Sequence, residues 1–190
     1  MNKWLLTGLL WMGTSAFGGQ VFYDAVLSGP GESPPNASPG TGLAFVTIDT
    51  VAHTLFVSVT FSGLLGTTTA SHIHCCTAAP GTGTAGVATE LPSFTSFPLG
   101  VMSGSYVMSF DDTLSSSWNP SFVTANGGTP VSAESALATG AAAGEAYLNI
   151  HTNVVPSGEI RGFLAPIPEP GTLALAGAAL AGLVLLRRRR

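Results

Sequence analysis

Two histidines stand one residue apart in the run Ala70-Ser71-His72-Ile73-His74-Cys75. If this run is a strand, alternate residues share a face, and His72 and His74 point the same way about 7 Å apart along the chain. That arrangement can present two imidazoles to Zn²⁺ or Cu²⁺. A third ligand would be needed. His151, in Tyr147-Leu148-Asn149-Ile150-His151-Thr152, is the candidate. The same histidines admit a plainer role, because an imidazole among Asn, Thr and carboxylate partners can be a satisfied buried hydrogen-bonder. His53 falls in a hairpin turn and carries no assigned role.

Cys75 and Cys76 follow His74 directly and are the chain's two cysteines. Adjacent thiols can close a disulfide, hold a metal as thiolates, or pair between chains. In an oxidising compartment an intramolecular bridge has to join these two. Their nearness to His72 and His74 adds a metal or redox reading.

A third group is Glu159-Ile160-Arg161. A hairpin that sets His151 opposite Glu159 places Tyr147, Asn149, His151, Glu159 and Arg161 on one face. Glu159 would then be a fourth ligand, or the carboxylate that orients an imidazole. Between residues 19 and 166, Arg161 is the one base against nine acids, a net of −8. The expectation is a buried ion pair of Glu159 with Arg161 that pins the last strand. Glu32 would be a second partner or a loop tie. Such an acidic surface repels phosphate backbones and anionic lipid headgroups, which argues against nucleic-acid partners. No Gly-x-Ser-x-Gly elbow, phosphate-binding loop or His-Glu-x-x-His occurs, so no catalytic residue is expected.

The elements that must position these residues are mostly strands. Val21 to Leu27 reads as a first strand, and Pro30 to Pro39 as a loop with four prolines. Gly42 to Asp49 and His53 to Phe61 alternate, with Leu55, Val57, Val59 and Phe61 facing in. Ala70 to Cys75, Gly86 to Leu91 and Ser105 to Phe110 are further strands. Tyr147 to His151 and Glu159 to Leu164 form a last hairpin. Asp111 to Trp118 reads as a short helical turn capped by Asp112. Thr129-Pro130 caps one helix over Val131 to Thr139. The expected fold is all-β, an antiparallel sandwich or barrel of about seven or eight strands with one short helix.

The ends read as addresses. Residues 1–18 carry Lys3, an apolar stretch from Trp4 to Met12 and small residues before Gly18, the layout of a secretory signal. At the other end, Pro168-Glu169-Pro170 precedes an uncharged run from Gly171 to Leu186, then Arg187, Arg188, Arg189 and Arg190. Sixteen helical residues span only about 24 Å, barely enough for a bilayer. The arginines would hold the C-terminus in the cytoplasm as a stop. Motif, apolar helix and Arg cluster together resemble the PEP-CTERM sorting signal of Gram-negative bacteria. That resemblance implies an exosortase-type sorting protease, the secretion machinery and transient inner-membrane anchoring through residues 171–186.

Four motifs fill the middle: Gly29-Pro30-Gly31-Glu32-Ser33-Pro34-Pro35, Ser71-His72-Ile73-His74, Tyr147-Leu148-Asn149-Ile150-His151-Thr152, and Gly158-Glu159-Ile160-Arg161-Gly162. In this order they resemble the CHRD domain, over residues 20–165. Cys75-Cys76 departs from the family pattern, which has Gly and a small residue there. The organisation expected is a signal at 1–18, the domain at 20–165 and a sorting segment at 167–190. The leading expectation is an exported cell-envelope or extracellular-matrix component with a non-enzymatic role, whose partners could be polysaccharides or surface proteins. The alternative is a zinc- or copper-binding, or redox, protein built on the His-x-His centre.

Overall fold

The computed structural model describes residues 19–168, with Arg187 alone beyond them. The signal expected at 1–18 lies outside the described residues, as do Glu169, Pro170, the apolar run 171–186 and Arg188 to Arg190. Among the described residues no helix is long and apolar enough to cross a membrane.

Eight strands form one antiparallel sheet: β1 (Gln20–Ser28), β2 (Thr41–Asp49), β3 (Thr54–Ser62), β4 (Thr68–His74), β5 (Gly104–Asp111), β6 (Tyr147–Thr152), β7 (Ile160–Phe163) and β8 (Ala165–Pro166). The order is β4-β6-β7-β1-β2-β3-β5, with β8 paired to Tyr23 and Asp24 of β1, and the sheet curls into a half-barrel. The all-β expectation holds. β1, β2 and β3 pair residue for residue across their full lengths, from Gln20 opposite Asp49 to Thr41 opposite Ser62. Their alternation is the reason: Tyr23, Ala25 and Leu27, then Ala44, Val46 and Ile48, then Leu55, Val57, Val59 and Phe61 are all buried on one side.

β4 and β6 lack that alternation, being buried along nearly their whole length. Their inner face carries Ile73, Leu148 and Ile150 into the core. Their outer face carries polar residues that the surrounding loops cover. The stretch Gly86 to Leu91, expected as a strand, makes only isolated bridges, Val87 to His74 and Thr89 to Trp118. The cause is local. The Thr89 hydroxyl accepts from the Ile73 N–H at 3.1 Å, so a side chain takes over a strand partner's role.

Two helices sit beside the sheet, α1 (Pro120–Ala125) and α2 (Pro130–Ala142). α2 starts as its sequence requires, with Thr129 and Ser132 in a reciprocal capping box and Pro130 in the first turn. It buries Ala133, Leu137, Gly140 and Ala141. α1 was not expected, although Asn119 caps it by accepting from the Ser121 N–H at 3.0 Å, ahead of Pro120. The expected helical turn is a short 3-10 turn, Ser115–Ser117, preceded by Leu114 rather than capped by Asp112. Asp112 is instead buried, its N–H on the His53 carbonyl.

Candidate metal centre

Strands β4 and β6 pair in the register Ala70 to His151, His72 to Asn149 and His74 to Tyr147. The two-residue period therefore puts His72, His74 and His151 on one face of two adjacent strands. One ring nitrogen from each histidine lies within 4.8 Å of the other two. The sequence separation of about 80 residues is closed by ordinary strand pairing.

Each ring is held by a backbone carbonyl, two from the β4–β5 connection and one from the β6–β7 turn. His72 Nε2 donates to the Pro92 carbonyl at 2.7 Å. His74 Nδ1 donates to the Ala85 carbonyl at 2.9 Å. His151 Nδ1 donates to the Pro156 carbonyl at 2.9 Å. A carbonyl oxygen can only accept, so the proton of each neutral ring is assigned to the bonded nitrogen. The opposite nitrogens, His72 Nδ1, His74 Nε2 and His151 Nε2, then carry bare lone pairs. All three are buried and have no hydrogen-bond partner. These three lone pairs belong to rings on one face, with the Asn149 side chain beside His74 as the neighbouring polar group. That donor set fits a cation, and a carbonyl behind each imidazole is how metal-binding histidines are commonly fixed.

Burial keeps the rings neutral. It pushes His72 down to about 4, against the pull of the Pro92 bond and aided by His151 and His74 nearby. Burial likewise lowers His74 and His151. Protons therefore compete weakly for the three lone pairs at neutral pH.

The polar wall around the centre differs from expectation in one respect. Tyr147, Asn149, His151 and Arg161 do share a face, and Asn149 pairs with Arg161 across β6 and β7. Glu159 does not join them. Its carboxylate turns to the other side and accepts from Ser38 Oγ and Thr152 Oγ1, both at 2.6 Å, and from the Leu65 and Gly66 N–H groups. Gly158, at φ +127°, precedes it and breaks the strand geometry, so the regular alternation begins only at Ile160. Burial alone would raise the Glu159 carboxyl, but these four hydrogen bonds outweigh it and hold it below the usual range. Glu159 is thus neither a ligand nor the partner of Arg161.

Arg161 pairs instead with Glu32, Nε to Oε2 at 3.7 Å, both side chains buried. Its Nε and Nη1 also donate to the Gly31 and Gly83 carbonyls at 2.6 and 2.9 Å. The guanidinium lies 4.6 Å over the Tyr147 ring, which stacks on His74 at 4.8 Å. The proline loop 30–39 is what brings Glu32 here. A Cβ on Gly158 would sit 2.6 Å from Glu32 Oε1 and 2.9 Å from Asn149 Nδ2, so the missing side chain is what admits this wall. Glu32 Oε1 and Asn149 Oδ1 are also buried without partners. Burial raises Glu32 to about 7, with Arg161 and the Ser33 N–H opposing.

Cys75 and Cys76 stand apart. They are joined as a disulfide, and they pack on α2 at Gly140, where a Cβ would fall 2.3 Å from Cys76 Sγ. The sulfurs therefore supply no ligand to the three histidines.

A second group was not foreseen. His53 Nδ1 meets Glu134 Oε2 at 2.7 Å, and Glu134 Oε1 and both oxygens of Asp112 are buried without partners. Nothing in the sequence relates Asp112, before the 3-10 turn, to Glu134 on α2. Nor does it show the Pro92, Ala85 and Pro156 carbonyls behind the histidines, since any residue offers the same backbone group.

Comparison with known proteins accords with the motifs. The family model of the CHRD domain matches residues 23–164, and that of the PEP-CTERM protein-sorting motif matches residues 166–190. Neither the curated proteins nor the solved structures gave a match. With three of its four motifs converging on the face just described and the fourth folding over it, the chain belongs to the CHRD-domain family and carries a PEP-CTERM sorting motif at its C-terminus.

Proposed function

We propose that this is an exported, exosortase-sorted protein of the cell envelope or extracellular matrix, whose domain holds one zinc or copper ion on His72, His74 and His151. The role is binding rather than catalysis. The observation that carries the reading is that the three histidines each offer a ring nitrogen within 4.8 Å of the others, while each ring has one buried nitrogen without a partner and the other on a backbone carbonyl. Three neutral imidazoles suit either zinc or copper. Bound metal would supply a fixed positive centre or, for copper, a one-electron couple. The acidic, charge-poor surface suits a solvated matrix component, and its partners there would be polysaccharides or surface proteins.

The test is elemental analysis of the full chain, made in a bacterial periplasm, purified in detergent without a chelating tag and dialysed against zinc or copper. The expected result is about one ion per chain, falling to background in His72→Ala/His74→Ala. A wild-type chain that stays metal-free, with its melting temperature unmoved by either ion, would overturn the reading and return the histidines to core hydrogen-bonding.

A further inference from the structure

The disulfide at Cys75 and Cys76 is hard to account for as a staple. A disulfide stabilises mainly by closing a loop in the unfolded chain, and the effect grows with loop length. Here the sequence separation is 1, the shortest loop a chain can close. The pair also lends nothing to the three histidines. Yet the surroundings are built around it. Gly140 leaves α2 without a side chain at the one place where both sulfurs press on the helix, since a Cβ there would lie 2.4 Å from Cys75 Sγ and 2.3 Å from Cys76 Sγ.

The two residues differ in exposure. Cys75 is 4% exposed, whereas Cys76 is open to solvent. Cys76 Sγ rests 3.7 Å from the Ala136 carbonyl at the edge of α2. Both residues line a cleft of about 400 Å³ between the loop after β4 and α1. Val87 and Phe122 give the cleft an apolar lining, and Ser121 and Asn126 give it polar groups. A space of that size accommodates a low-molecular-weight peptidic thiol.

We propose that Cys75–Cys76 is a thiol–disulfide exchange site for a low-molecular-weight thiol bound in this cleft, with Cys76 as the sulfur attacked. The thiolate of the incoming molecule attacks Cys76 Sγ and forms a new S–S bond. The Cys75–Cys76 bond breaks, and its electron pair leaves on Cys75 Sγ, which takes up a proton. A second thiolate then attacks the small-molecule sulfur of the mixed disulfide and releases Cys76 as a thiolate. In sum, two thiols are oxidised to one disulfide and the protein pair is reduced. A small-molecule disulfide in the same cleft runs the steps in reverse and restores the pair. The proposal does not depend on the histidine centre.

The test uses the full chain in detergent, with reduced glutathione as the probe, thiol alkylation and mass spectrometry. Under native conditions the glutathione adduct is expected on Cys76, forming about tenfold or more faster than the chain unfolds. Ser121→Trp, which fills the cleft, should slow exchange about tenfold with the melting temperature little changed. Cys75→Ser exposed to oxidised glutathione should take one adduct, and Cys76→Ser should take about tenfold less. Reduction that tracks global unfolding, adducts divided equally between the two cysteines, or indifference to Ser121→Trp would each overturn the proposal. The wild-type adduct map and rate decide the matter even if a single-cysteine variant does not fold.

Discussion

At the scale of single residues, Glu159 is the clearest instance of a charge fixed by its donors. Ser38, Thr152, Leu65 and Gly66 converge on a carboxylate that is 0% exposed. Those donors come from the proline loop, from β6 and from the turn after β3, so one side chain ties three segments. Glu159→Gln keeps the shape but turns an amide NH₂ toward a wholly donating environment. It should destabilise the domain by about 2–4 kcal/mol, read as a lowered urea midpoint. The pH sign follows from the lowered carboxyl. Its contribution is present above the unfolded value and is lost as pH falls through the lower folded value. Wild type and Glu159→Gln should therefore converge in stability toward acid, and parallel pH curves would contradict this account. The histidines show the other side of residue-scale physics. Their chemistry was legible in His-x-His and in Asn-x-His-Thr, but their state depends on three carbonyls that any residue could supply.

At the scale of elements, α2 meets the sheet through a polar contact rather than an apolar one alone. Glu134 on α2, Asp112 after β5 and His53 in the β2–β3 turn come together, with Asp111 nearby. Burial, then the Glu134 and Asp111 charges, raise Asp112 from 3.8 to about 7, with His53 opposing. A carboxyl raised in the folded state binds its proton more tightly there than in the unfolded chain. Its stabilisation is full below the unfolded value and is lost as pH rises through about 7. Asp112→Asn mimics the protonated form at every pH. Relative to wild type it should gain on the order of 2–4 kcal/mol between pH 5 and pH 8. Denaturant titrations at the two pH values check this, and a constant difference would place the proton elsewhere. Element boundaries were readable where caps and alternation were strong, as in α2 and β3. They failed at 86–91, where the Thr89 hydroxyl replaced a backbone partner, and at α1, whose Asn119-Pro120 start was present in the sequence but opens a helix of only six residues.

At the scale of the whole molecule, the domain ends where the sorting motif begins. Ile167 still donates its N–H to the Phe22 carbonyl at 2.8 Å, so the chain leaves the sheet beside β1 just before Pro168. Pro168, the first residue of the motif, therefore follows directly on a residue bonded to the sheet. Replacing Pro168, Glu169 and Pro170 with alanine should leave an unprocessed chain in the inner membrane while the domain folds unchanged. Immunoblots of fractionated cells, with the processed wild type alongside, would show this, and normal processing of the triple variant would place recognition in the apolar run or the arginines.

The strand alternation, the all-β class, the capped helix α2 and the residue types able to do chemistry are all legible in the amino-acid order. They are so because alternation, caps and motifs are local and are written in side-chain types. The sequence also carried the family signatures, since four separated motifs agree in order. Which of those residues meet is a matter of the folded chain. Register brought His151 beside His72 and His74. The kink at Gly158 took Glu159 away and left Arg161 to Glu32. Packing against Gly140 set the disulfide apart from the histidines. Burial joined Asp112 to Glu134. Each of these depends on contacts between residues distant in the chain, and those are settled by packing rather than by residue type.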